Sequence, residues 1–112
     1  MGVDPNVAII GAGPAGLMAA EVLLEKGIAV DIFEAKPTIG RKLLMAGKSG
    51  LNITHTENFK LFLSRFSSQR NTLENSIRSF TPTMVQQWTS NLGIETFEGS
   101  SQRVFPREMK AS

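Results

Sequence analysis

The run Val7-Ala8-Ile9-Ile10-Gly11-Ala12-Gly13-Pro14-Ala15-Gly16, followed by a second apolar run that ends at Glu34, constrains this chain more than any other feature. Val7 to Ile10 is short, continuous and apolar with β-branched residues, the pattern of a parallel strand buried on both faces. Gly11 lets the chain turn sharply out of that strand, and Gly13 has no Cβ, so a pyrophosphate can approach the backbone closely. Gly16 and Ala20, four residues apart, keep one helix face thin where it packs on a sheet. Pro14 suits a first helical position, because its missing N–H would have no intrahelical partner there. The helix is expected to run to about Lys26, with Leu17, Ala20, Leu23 and Leu24 on one stripe and Gly27 as its stop. Ile28 to Phe33 reads as the second strand. Glu34 follows Gly16 by 18 residues, close to the general spacing of roughly 20. A carboxylate there can accept hydrogen bonds from both hydroxyls of an adenosine ribose and repels a 2′-phosphate. Strand, turn, helix and acid together predict an α/β chain with a Rossmann-like βαβ start.

Composition narrows the chemistry. The chain has 112 residues, enough for one domain at most, and no cysteine. The lack of cysteine excludes disulfides, thiolate metal sites and a redox-active dithiol, so any redox chemistry must come from a bound cofactor. A net charge of +2 is too small to imply a nucleic-acid or membrane partner. The apolar N-terminus lacks a basic leader and is interrupted by glycines and Pro14, which predicts neither a signal peptide nor a membrane span and leaves a cytoplasmic location as the expectation. No spacing of metal-ligating residues is recognisable, and His55, the one histidine, is expected to be structural or exposed.

The rest divides by pattern into a loop over 37–56 and a helical segment with a hairpin over 57–112. Between Ala35 and Thr56 stand four glycines or prolines, which predicts a long ordered loop without regular elements. Its Gly40-Arg41-Lys42 and Gly47-Lys48-Ser49-Gly50 segments can bring backbone N–H groups and cations to the phosphates held by the first turn. Phe59, Phe62 and Phe66 repeat at helical spacing, as do Leu73, Ile77 and Phe80. Thr81 as cap, Pro82 at the first position and Gly93 as terminator predict a further helix in which Trp88 is core. Ile94 to Phe97 and Arg103 to Phe105 flank a Gly99-Ser100-Ser101 turn, the pattern of a β-hairpin.

The run GAGPAGLMAAEVLLEKGIAVDIFEA resembles the amino-terminal fingerprint of two-dinucleotide-binding-domain flavoproteins. Its continuation PTIGRKLLMAGKSGLNITH is similar to the BaiN/YhiN-like flavoprotein family of NAD(P)/FAD-dependent, aminoacetone-oxidase-like oxidoreductases, as is the later LGIETFEGSSQRVFPREMKAS. The resemblance implies that Gly11, Gly13, Ala15 and Gly16 contact the FAD pyrophosphate, with Ala12 and Pro14 in the same turn. It implies Glu34 at the adenosine ribose with Ala35 and Lys36 beside it, and Gly40, Arg41 and Lys42 at the adenine side and pyrophosphate edge. Gly47, Lys48, Gly50, Leu51 and Asn52 would approach the flavin. Many members carry a GGGRCN-like loop where this chain has GKSGLN, nearer a GKGGLN-like subgroup. Members are several-fold longer, so the resemblance implies an amino-terminal fragment, an incomplete domain whose open sheet edges favour self-association.

Three functional readings follow. The first is the FAD-binding part of an oxidoreductase acting on a small molecule, with a nicotinamide cofactor as candidate electron donor and no residue assignable as catalytic acid or base. The second is a NAD-binding module, because the glycine fingerprint serves both cofactors; the Gly40-Arg41 continuation favours FAD. The third is a non-catalytic remnant that binds a nucleotide, or a partner by strand addition.

Overall fold

Strands β1 (Asn6–Ile10) and β2 (Ala29–Phe33) pair in parallel, in register from Asn6 opposite Ala29 to Ile10 opposite Phe33. They come from a computed structural model that describes residues 6–46 and 50–109, which form two compact units with those bounds. In the first unit, helix α1 (Pro14–Glu25) joins the strands and packs on both. Gly13 caps it in extended geometry, and Pro14 stands at its first position as the sequence predicts. Its end is a Schellman motif: Ile28 N–H reaches the Leu23 carbonyl at 3.0 Å and Gly27 N–H the Leu24 carbonyl at 2.9 Å, with Gly27 at φ +71°.

Burial along β1 alternates, with Val7 and Ile9 half-buried and Asn6, Ala8 and Ile10 exposed. The expectation of a strand buried on both faces is therefore corrected. The reason is the layer count: among the described residues the sheet has two strands, and α1 covers one face. Cross-strand neighbours Ile10 and Phe33 stand on the other face, 82% and 56% exposed.

The predicted element-free loop is also corrected, because it contains helix α2 (Arg41–Met45) and the two-residue strand β3 (Thr54–His55). Both are set by partners elsewhere in their own units, which local composition does not reveal. In α2 the N-cap is Gly40, in the left-handed region at φ +64°.

The second unit has a three-stranded antiparallel sheet in the order β3-β5-β4, where β4 is Thr96–Glu98 and β5 is Arg103–Pro106. The hairpin is present with Phe97 opposite Phe105, and β5 is its central strand. Helices α3 (Phe59–Ser64), α4 (Arg70–Ser79) and α5 (Pro82–Asn91) complete the unit. Phe66 falls outside α3, yet its ring still meets Phe62 edge-on at 5.5 Å, so the helical spacing recorded a real cluster. Trp88 is half-buried against Phe80 at 6.4 Å rather than core. The buried α5 residue is its neighbour Thr89, whose hydroxyl donates to the Val85 carbonyl at 2.7 Å, while Leu63 and Val104 supply the apolar centre.

Asn58 caps α3 by accepting from Lys60 N–H at 2.9 Å and Leu61 N–H at 3.4 Å. Asn58→Ala is expected to cost roughly 1 kcal/mol, the usual loss for an N-cap side chain, read as a lower urea midpoint with an unchanged slope.

Candidate functional site

The site is built around one buried residue. Gly11, at φ +100°, sends its N–H back to the Phe33 carbonyl at 2.8 Å. The next N–H, that of Ala12, donates to Glu34 Oε2 at 2.8 Å, and Lys36 N–H donates to Oε1 of the same carboxylate at 2.8 Å. The Ala12 carbonyl accepts from Gly40 N–H at 2.8 Å. Ala12 is 1% exposed, so the turn is held from the ends of both strands and from the start of α2.

The glycines of the turn divide by what surrounds them. A Cβ on Gly16 would collide with the Gly11 carbonyl oxygen and stand 3.2 Å from Ile9 Cγ2, so Gly16 is required by close packing of helix on strand. A Cβ on Gly13 would meet nothing within 4 Å, and its φ of −86° suits any residue. Nothing inside the protein requires a glycine there.

Gly13 borders a groove of about 180 Å³. Ala12, Pro14, Glu34 and Gly40 line it with Gly13, and Lys36, Arg41 and Lys42 add three cations. Thr38 also lines it, and its hydroxyl accepts from Arg41 Nη1 at 3.2 Å. The first turn of α1 carries no acidic residue and its cap makes no side-chain hydrogen bond. The leading N–H groups and the positive end of a 12-residue helix are therefore offered to an anion. Glu34 keeps further acceptor capacity, because a carboxylate has about four lone-pair sites and the backbone N–H groups of Ala12, Lys36 and Ala35 do not fill them all. Such a groove can hold an anionic group at the helix and a diol at the carboxylate.

Hydrogen bonds from Ala12 N–H and then Lys36 N–H hold the Glu34 carboxyl below the usual glutamate range. A depressed folded-state pKa contributes stability that is present above the unfolded value and is lost as pH falls through the folded one. Glu57, beside Arg65, and Glu74, beside Arg78, are lowered in the same direction. The melting temperature is expected to hold near neutrality and to fall below about pH 4. Glu34→Gln should lessen the part of that fall carried by the first unit, which thermal melts across pH would detect.

The other sequence candidates fall as follows. Gly11, Ala15, Gly16 and Ala35 shape or adjoin the turn without lining the groove. Gly50, Leu51 and Asn52 belong to the second unit, where Leu51 N–H donates to the Met109 carbonyl at 2.8 Å. Gly47 and Lys48 lie outside the described residues. Thr38 went unnoticed in the sequence, where a lone threonine carries no signal. His55 Nδ1 accepts from Glu57 N–H at 3.1 Å, a local structural bond in the second unit. No group of three or more metal-binding side chains occurs among the described residues, and no helix there is long and apolar enough to cross a membrane.

Parallel strands joined by a glycine-rich turn, an open helix N-terminus and a carboxylate ending the second strand define a Rossmann-like unit of the dinucleotide-binding type. The chain belongs to the HI0933-like family: residues 5–112 match the HI0933-like protein Rossmann domain. It is similar to AegA of Escherichia coli (strain K12), 55% identical over 38 residues that make up 34% of this chain and 6% of AegA. It is also similar to the ribosomal RNA dihydrouridine synthase of Haemophilus influenzae (strain ATCC 51907 / DSM 11121 / KW20 / Rd), 47% identical over 49 residues, 44% of this chain and 12% of that enzyme. A third relative is the digeranylgeranylglycerophospholipid reductase of Methanosphaerula palustris (strain ATCC BAA-1556 / DSM 19958 / E1-9c), 38% identical over 55 residues, 49% of this chain and 14% of the reductase. The chain thus spans between 6% and 14% of the length of these three proteins.

Proposed function

We propose that the groove takes the adenosine diphosphate end of FAD and that the chain is the cofactor-binding part of a flavin-dependent oxidoreductase acting on a small molecule. The observation that carries this reading is Gly13: a glycine with an ordinary φ and empty space beside it, at the mouth of a helix with no cap side chain and no acid in its first turn. The residues fit the group. The uncapped N-terminus of α1 beside Gly13 and Pro14 would face the pyrophosphate, Glu34 would accept from the ribose hydroxyls, and Arg41 and Lys42 would balance phosphate charge from the far wall. Lys36 and Thr38 would border the adenosine side. When bound, a flavin supplies hydride transfer at N5, and the protein supplies binding, orientation and electrostatics.

The substrate and the electron partner, a nicotinamide cofactor among the candidates, depend on groups outside this groove. A NAD-binding module is the second reading. The tie from Gly40 N–H to the Ala12 carbonyl favours FAD, because it brings a cationic segment onto the turn immediately after β2, where a NAD domain more often enters another helix and strand.

Parallel titrations with FAD and NADH, followed by flavin fluorescence and by a visible spectrum after gel filtration, test the proposal. Retention of a yellow 1:1 complex with FAD and no saturable response to NADH is expected. Absence of colour after FAD addition would contradict the flavin reading, and saturation by NADH alone would transfer the groove to the second one.

A further inference from the structure

We infer that Glu34 is a positioning residue that sets, through Ala12, where the Arg41–Lys42 segment stands over the groove. This goes beyond acceptance of a ribose and concerns the same site proposed above for a dinucleotide.

Every residue of α2 is exposed, so packing does little to place it. Among the described residues, the backbone of 36–46 is hydrogen-bonded to the rest of its unit at two points: Lys36 N–H to Glu34 Oε1 and Gly40 N–H to the Ala12 carbonyl. The bonds from Arg41 to Thr38 and from Leu44 N–H to the Gly40 carbonyl are internal to the segment. Both anchors lead to Glu34. It holds the first directly. It holds the second through Ala12, whose N–H it binds and whose carbonyl receives Gly40.

With Ala12 gripped at its N–H, its carbonyl direction is set by the dihedrals on either side of one buried Cα. Releasing the N–H frees those dihedrals, and the carbonyl that carries Gly40 then has no fixed aim. Charge-assisted hydrogen bonds to backbone N–H are roughly twice as strong as neutral ones, which suits a carboxylate to this task. A glutamine can satisfy only one of the two N–H groups, because its other terminal atom is itself a donor. An alanine satisfies neither.

Amide hydrogen exchange on the cofactor-free protein, read residue by residue by NMR, tests this without reference to FAD, so its failure and that of the flavin reading are separable. The informative amide is Gly40, which is hydrogen-bonded to Ala12 and not to Glu34. Glu34→Ala is expected to speed Gly40 exchange by about tenfold or more, the scale of one lost hydrogen bond, and Glu34→Gln by less. The Gly11 amide, bonded to Phe33, should stay within about twofold in both variants. If Glu34→Ala fails to fold, Glu34→Gln carries the test. Gly40→Ala, strained at φ +64°, probes the link from the other end and should speed exchange of the Ala12 amide. Unchanged Gly40 exchange in the Glu34 variants would overturn the inference. So would an equal acceleration of Gly40 and Gly11, which would mean general loosening of the unit.

Discussion

Gly16→Val is expected to unfold the first unit and to abolish nucleotide binding with it. The Cβ that any other residue brings would collide with the Gly11 carbonyl oxygen, and a backbone atom cannot swing aside as a side-chain tip can. Relief requires α1 to move off β1, which also breaks the contact with Ile9 and shifts the turn that Ala12 occupies. Overpacking in a well-packed site costs roughly 1–3 kcal/mol when side chains can adjust, and this site, pressing on backbone, belongs at or above the upper end. The few tenths of a kcal/mol of helix propensity that valine gains over glycine do not offset that cost. Circular dichroism with urea denaturation checks the outcome. Gly16→Ala should already lower the midpoint, whereas a wild-type midpoint in both variants would show that the helix sits less tightly on the strand than described.

Gly13→Asp is expected to do the reverse, sparing the fold and removing the ligand. Gly13 has the extended geometry of an N-cap, with φ −86° and ψ −175°, and space for a side chain. Aspartate is a preferred cap, so the free protein should be as stable as wild type or more stable by a few tenths of a kcal/mol. The new carboxylate would take the helix N–H groups that the pyrophosphate needs and would place a like charge beside it. Repulsion of charges about 4 Å apart near a protein surface is of the order of several kcal/mol, so affinity should fall by about 100-fold or more. Gly13 and Gly16 thus predict opposite divisions between stability and binding from the same motif.

The βαβ start was legible because each of its residues answers a local demand: Gly11 a positive φ, Gly16 a close approach, Pro14 a first helical position and Gly27 a helix stop. The Thr81 cap and the hairpin of β4 and β5 were legible for the same reason. What escaped depends on partners distant in sequence. Helix α2 begins where Gly40 meets Ala12, 28 residues earlier, and β3 exists because β5 runs beside it. The exposed face of β1 follows from the number of layers, which an apolar run cannot report. In the site, Glu34 was expected to face a ribose, but its grip on the Ala12 and Lys36 N–H groups was not, because backbone donors leave no mark on residue identity.

The most direct measurement is a calorimetric titration of adenosine diphosphate into the wild-type chain and into Gly13→Asp, with melting temperatures recorded for both. Saturable 1:1 binding to the wild type, lost in a variant that melts at or above the wild-type temperature, is the expected result. Equal affinity in the two proteins, or no binding to a folded wild type, would contradict a phosphate seat at the glycine-rich turn.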